Sequence, residues 1–328
     1  MSAKKILVTG AGGFIGYHLG NYLGDQGFEV IGLDLHYPAQ VVGDGGPRFL
    51  AVTGDFREKE RMEELLRGVD VVFHLASAHL QVSLKESEYW DINVHSLPAL
   101  LELARRSGVQ RFVHCSSVGT FGNLSQWPAN EESLCRPQSI YGETKLAGED
   151  AVLKFYERTG FPVVIIRPAW VYGPGCPRTR KLYRALAKRR FLMIGKGENM
   201  RHPIFISDML AAFALAMKSE GAIGELLIIA GAKAITTREM VDAFCRVFKL
   251  PRPLMQIPYS FGLALARQFE SVSGWLKKEP PFSRRSLEFF DTNNAFDITK
   301  ARQLLGFEPK VNFDSGLKAS ESWLINSR

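Results

Sequence analysis

Along the first half of the chain, short apolar and β-branched runs alternate with longer segments whose apolar positions recur at helical spacing. Ile6 to Val8, Glu29 to Leu33, Val69 to His74, Arg111 to Cys115 and Val163 to Ile166 are near-continuous in apolar character, as parallel strands buried on both faces are. Between them, Ile15 to Gln26, Arg57 to Leu66, Asn93 to Ser107 and Ser139 to Arg158 carry the 3.6-residue period of amphipathic helices. This alternation predicts an α/β fold with a doubly wound parallel sheet. After Arg167-Pro168 the pattern loosens into turns rich in Pro and Gly, with helices expected at Thr179 to Arg190, Ser207 to Met217, Thr237 to Phe248 and Tyr259 to Lys277. The expected division is therefore 1–168 for the main sheet domain. Residues 169–328 form mainly a smaller C-terminal α/β domain, with some segments returning to the sheet.

Composition narrows the function classes. The chain has 328 residues, 46% hydrophobic and 23% charged, enough for about two domains and far from a disordered composition. Its four cysteines, Cys115, Cys135, Cys176 and Cys245, are scattered with no Cys-x-x-Cys pair, so no metal site and no redox motif are expected. Reduced thiols, no secretory leader and no long apolar run give the expectation of a cytoplasmic protein with no transmembrane segment. The 41 basic and 34 acidic residues leave a net charge of +7, and Arg178 to Arg190 alone holds seven basic residues and no acid. The excess thus reads as one local patch for an anion. No nucleic-acid-binding motif accompanies it, so no nucleic acid partner is expected.

The first strand runs into Thr9-Gly10-Ala11-Gly12-Gly13-Phe14-Ile15-Gly16 and then a helix. Gly10, Gly13 and Gly16 provide a tight turn, a close approach of backbone to pyrophosphate and close packing of helix on strand, with Phe14 and Ile15 opening the helix over the phosphates. Asp34 ends the second strand 24 residues after Gly10, where a carboxylate accepts hydrogen bonds from ribose hydroxyls and repels a 2′-phosphate. Leu35, His36 and Tyr37 offer no arginine to such a phosphate, so the expected cofactor is NAD in a Rossmann-type domain. Asp55, with Phe56, follows the next short strand either as an adenine contact or as a helix N-cap.

Tyr141 and Lys145 stand four residues apart in a helical segment, one turn apart on one face. A cation beside a phenol favours phenolate, and such a tyrosine takes the proton of a secondary alcohol as hydride leaves its carbon. Ser117, at the end of the strand Arg111 to Cys115, lies where ligands of parallel sheets bind and donates a hydrogen bond to the reacting oxygen.

Together these motifs resemble the extended short-chain dehydrogenase/reductases, the NAD-dependent epimerase/dehydratase family, over nearly the whole chain. The resemblance extends to Val72-Phe73-His74-Leu75-Ala76, Asn93, Arg167-Pro168 with Val171-Tyr172-Gly173-Pro174-Gly175, Phe205-Ile206-Ser207-Asp208, and Asp297 to Pro309. It implies that Tyr141 is the general acid/base, that Lys145 orients the nicotinamide ribose and lowers the tyrosine pKa, and that Ser117 polarises the substrate oxygen. It also adds Leu75 and Ala76 to the cofactor contacts and implies a homodimer through Asn93 to Ser107 and Ser139 to Arg158.

Departures from the family pattern bear on the substrate. Val118 and Gly119 replace the acid pair that follows this position in the family's 4,6-dehydratases. Trp170 replaces the asparagine common in nucleotide-sugar epimerases, and the pattern around it is also similar to the 3β-hydroxysteroid dehydrogenase branch. Arg180 on the basic segment, Arg201 and Arg285 are the candidate grips for a substrate phosphate. The expected partner is a small anionic substrate, a nucleotide-linked sugar, or else a sterol-like alcohol, with peripheral membrane contact as a further use of the Tyr259 to Leu276 helix. A catalytically silent NAD sensor is the remaining class.

Overall fold

The computed structural model describes residues 4–38, 46–79, 84–253, 255–264 and 284–326. Its strands are β1 (Lys5–Thr9), β2 (Glu29–Asp34), β3 (Leu50–Thr53), β4 (Val71–His74), β5 (Arg111–Cys115), β6 (Val163–Pro168), β7 (Trp170–Tyr172), β8 (Met193–Ile194), β9 (Met200–Arg201), β10 (Pro203–Phe205), β11 (Leu226–Ile229), β12 (Ile235–Thr236) and β13 (Gln256–Ile257). Seven of these form one sheet in the order β11-β6-β5-β4-β1-β2-β3, parallel throughout. From β1 the chain winds outward through β2 and β3, then returns to β4 on the other side of β1. That reversal leaves a crevice at the carboxyl ends of β1 and β4, where ligands of such sheets sit.

Both faces of the sheet are covered, which explains the continuous apolar runs. Helices Lys59–Leu65, Leu97–Arg106 and Ile140–Thr159 pack on one face through Met62, Leu97, Leu101, Val152 and Phe155. Helices Phe14–Asp25 and Ile206–Lys218 pack on the other through Leu19, Leu23, Met209 and Phe213.

Three expected elements differ. Asn93 lies in a π-helical turn, Asp91–His95, between helices Glu86–Trp90 and Leu97–Arg106. β11, from the loosely patterned half, adds the edge strand beyond β6. The segment expected as helix Tyr259 to Lys277 is helical at 259–264, and its remainder lies outside the described residues. The smaller lobe is built from the short pairings β7-β10, β9-β12 and β8-β13 with helices Pro177–Ala187, Thr237–Val247, Arg284–Asp291 and Phe313–Ala319.

Asp208 joins the lobes. One carboxylate oxygen accepts the Lys310 and Val311 amides at 3.0 and 2.9 Å, fixing the C-terminal segment to helix Ile206–Lys218. Asp208→Ala leaves two amides without that acceptor and should lower the unfolding free energy by about 2 kcal/mol, measured as a fall in the urea midpoint.

Candidate active site

At the end of β1 the chain turns at Gly10 with φ +76°, a conformation glycine adopts without steric cost. A Cβ there would lie 2.6 Å from the Ala76 nitrogen, and one at Gly16 would lie 2.1 Å from the Gly10 carbonyl oxygen. The loops after β1 and β4 and the first helix therefore meet backbone to backbone. Gly13 differs, being exposed, and a Cβ would meet only the Gly10 oxygen, at 3.3 Å. It leaves a bare helix N-terminus, without a side-chain cap, whose free N–H groups suit an anion. Phe14 and Ile15 are half-buried beside it. Thr9 Oγ1 accepts the Ala76 N–H at 3.3 Å and shares a hydrogen bond of 2.8 Å with His74 Nδ1, so Leu75 and Ala76 are tied to the glycine loop. Asp34 Oδ2 accepts the Gly12 N–H at 2.8 Å, which places the carboxylate at the loop's rim.

Asp55 is held by Arg57. Its carboxylate takes a bidentate bond from the Arg57 guanidinium and accepts the Arg57 amide at 2.9 Å, and the N-cap of the next helix is Glu58. The expected helix N-cap is thus a turn just before the helix, because its oxygen reaches an amide only two residues on. Phe56 is buried edge-on against His74, with centroids 4.9 Å apart.

The catalytic residues come together from two elements. Ser117, after β5, is half-buried and accepts the Gly119 N–H at 3.0 Å through Oγ. Capping the short turn Val118–Thr120 fixes the oxygen while leaving its proton to donate, and Ser117 lies close enough to the Tyr141 phenol to lower its pKa. Ser139 caps helix Ile140–Thr159 by accepting the Gly142 N–H, which sets Tyr141 in the first turn. Lys145, one turn on, is buried and donates to the Cys115 carbonyl at 2.6 Å.

Burial sets the electrostatics of both side chains. Burial raises the Tyr141 pKa to about 12, and the groups that pull it down are Ser117, by hydrogen bond, and Arg178, by charge. The Lys145 ammonium is directed to a backbone carbonyl instead, and burial lowers its own pKa. Spacing at i and i+4 puts two side chains on one face but does not fix where a flexible lysine points. Beneath it, register aligns Thr9, His74 and His114 across the sheet. Burial holds His74 down to about 3 and keeps His114 well below the ordinary imidazole range, so both stay neutral beside the lysine.

Two buried networks hold this geometry. Asn93 accepts the Ala78 N–H at 2.9 Å and donates to Thr144 Oγ1 at 2.9 Å, pinning the loop after β4 to the tyrosine helix. Glu149, two turns beyond Tyr141, binds Arg167 of β6 through two bonds of 2.8 and 2.6 Å and accepts from Ser116 Oγ. Arg167 also stacks over Phe121, 4.7 Å from the ring centroid.

The predicted substrate residues are dispersed. Trp170 is half-buried against Tyr172 and Phe313. Arg180 is half-buried on helix Pro177–Ala187. Arg201 is buried over the Phe289 ring, donating to the Phe289 carbonyl and Thr292, so its guanidinium fastens helix Arg284–Asp291 to β9. His202, where the family pattern has Asp, donates from Nε2 to the Gly231 carbonyl at 2.8 Å and accepts the Phe296 amide at Nδ1. Arg285 lies in helix Arg284–Asp291, and its side chain is outside the described residues.

Two residues that sequence reasoning missed meet at the tyrosine instead. The exposed ring of His79 stands edge-on to Tyr141 with centroids 4.7 Å apart, and its Nε2 is 3.3 Å from Arg178 Nη2. These partners are separated by up to 99 positions, and no local signal joins them.

The family model for the NAD dependent epimerase/dehydratase family matches residues 6–230. The chain belongs to this family. It is 28% identical to an uncharacterized UDP-glucose epimerase, YtcB, of Bacillus subtilis, over 98% of each chain. It is 26% identical to the mouse sterol-4-alpha-carboxylate 3-dehydrogenase, decarboxylating, over 96% of this chain and 90% of that one. The solved structure of MoeE5 in complex with UDP-glucose and NAD superposes with a TM-score of 0.78 at 27% identity, covering 98% of this chain and 99% of that chain. The protein is thus an NAD-dependent enzyme with the family's fold, and the exposed N-terminus at Gly13 and the Asp34 carboxylate fit the dinucleotide's pyrophosphate and adenosine ribose.

Three of these residues can be tested directly. Asp34→Ala should weaken NADH binding at least tenfold and narrow the preference over NADPH, read by fluorescence titration; tighter NADPH binding by the unaltered enzyme would contradict the role given to Asp34. Tyr141→Phe should lower turnover by about 10²–10⁴-fold with NAD affinity little changed. Because the raised pKa makes phenolate scarce at neutral pH, alcohol oxidation should accelerate with rising pH, and Arg178→Ala should move that profile to higher pH.

Proposed function

We propose that this enzyme interconverts a secondary hydroxyl and a ketone on a nucleotide-linked sugar, with Arg178 reading an anionic group of the substrate. The observation that carries the reading is the convergence of Ser117, Tyr141 and Lys145 beside the glycine loop, with His79 against the phenol ring and Arg178 next to His79, near enough to lower the phenol's pKa. NAD supplies the acceptor and donor of hydride when bound. Ser117 donates to the reacting oxygen and holds it at the phenol. Tyr141 takes the hydroxyl proton on oxidation and returns it on reduction, while Lys145 keeps a positive charge near the phenol and the ribose. If the ketone turns before it is reduced, the product is the epimer; if it leaves, the reaction is a net dehydrogenation. Val118 and Gly119 offer no carboxylate to move a second proton, which disfavours water elimination.

The similarity to a UDP-glucose epimerase and to a structure holding UDP-glucose supports the sugar class. The aromatic surface of Trp170 and Phe313, together with the mouse sterol relative, favours a second reading as a dehydrogenase of apolar alcohols. We also assign a cytoplasmic location and a homodimer through helices Leu97–Arg106 and Ile140–Thr159, supported by the family resemblance; among the described residues no helix is long and apolar enough to cross a membrane.

A thermal-shift screen with NAD present compares UDP-, GDP- and dTDP-sugars with 3β-hydroxysterols. A nucleotide-sugar should raise the melting temperature, and Arg178→Ala should raise its KM at least tenfold. Stabilisation by sterols alone would replace the first reading with the second.

A further inference from the structure

The basic segment read from sequence as one patch is divided by the fold. Arg178 stands at the first turn of helix Pro177–Ala187, next to His79 and the active site. Lys188, Arg189 and Arg190 stand at its other end, about 16 Å away along an 11-residue helix. Tyr183 and Leu186 anchor the helix inside, and the terminal triplet is exposed. Arg189 has φ 54°, a left-handed turn that ends the helix and leads the chain into β8.

β8 pairs with β13, and the Met193 amide bonds the Met255 carbonyl at 3.2 Å. Met255 and Phe261 are 65% and 55% exposed, while their neighbours Ile257, Tyr259 and Leu263 pack inward on Ile194 and Leu287. The basic triplet, Lys196 and two outward apolar side chains are thus carried on one small module. Residues 177–197 and 249–264 together hold ten basic and no acidic side chains, against 31 basic and 34 acidic in the rest of the chain. Within the module Arg252 is paired, to Asp242; Lys188, Arg189 and Arg190 have no acid within seven positions in sequence, and the acid nearest Lys196 is Glu198, two positions on.

We infer that this module is a docking surface for an anionic phospholipid bilayer, with Met255 and Phe261 entering the interface and the basic triplet and Lys196 lying against the headgroups. Large apolar side chains carried on the same strand pairing as exposed lysine and arginine combine the two attractions that hold peripheral proteins on membranes. A nucleic acid would use the cations and leave the apolar tips without a role. The inference is independent of the substrate assigned above, since none of these residues touches the catalytic groups.

The test is co-sedimentation of the full chain with vesicles of phosphatidylcholine alone or with one quarter phosphatidylglycerol, at low and high salt. The expected result is binding to the anionic vesicles, at least tenfold weaker to the neutral ones and lost at high salt. Lys188→Glu, Arg189→Glu and Arg190→Glu together should reduce binding at least tenfold with NAD affinity and melting temperature unchanged, and Phe261→Ser should reduce it severalfold at constant charge. Absence of binding, equal binding to both vesicles, an unaffected triplet variant, an unaffected Phe261→Ser, or tighter association with duplex DNA at matched charge would each overturn the proposal.

Discussion

The buried ion pair of Glu149 with Arg167 is the constraint on which the catalytic geometry rests. Tyr141 and Lys145 arrive on a helix, Ser117 on the end of β5, and Arg167 on β6. Glu149, bonded to both Ser116 and Arg167, joins all three. Burying two charges carries a large desolvation penalty, and removing one partner of such a pair typically costs about 3–5 kcal/mol because the other is left uncompensated. The pair's value is therefore positional. A hydrophobic contact would allow the helix to slide, whereas a bidentate bond fixes its register against the strand ends.

The same logic governs the cofactor side. Backbone atoms at Gly10, Gly16 and Ala76 approach too closely for any side chain, so the glycine loop, the loop after β4 and the first helix form one rigid unit. Thr9 completes it by bridging Ala76 and a neutral His74. The neutrality of the two histidines matters because Lys145 is buried above them, and a second cation there would drive the lysine towards its uncharged form.

Charge is the property whose meaning changed most between chain and fold. A run of seven basic residues with no acid is visible in the sequence, but helix Pro177–Ala187 sends its ends to different surroundings. Arg178 lowers the pKa of the catalytic phenol, while Lys188 to Arg190 face solvent. Arg201 shows the opposite limit. It lies buried over Phe289, which lowers its pKa to about 10.

By itself, the sequence determined what depends on neighbours along the chain: the strand-helix alternation, the glycine turn, the acid ending β2, the Tyr141–Lys145 spacing and the serine at a strand end. Each is a consequence of backbone sterics or of a short-range period, and each stands where it was expected. The tertiary structure alone decided which polar groups share a surrounding. It brought His79 onto Tyr141 and Arg178 onto His79, turned Lys145 to the Cys115 carbonyl, and placed an edge strand from the second half beside β6. Those outcomes depend on packing between distant segments and on the desolvation it imposes, and neither quantity has a local pattern to read.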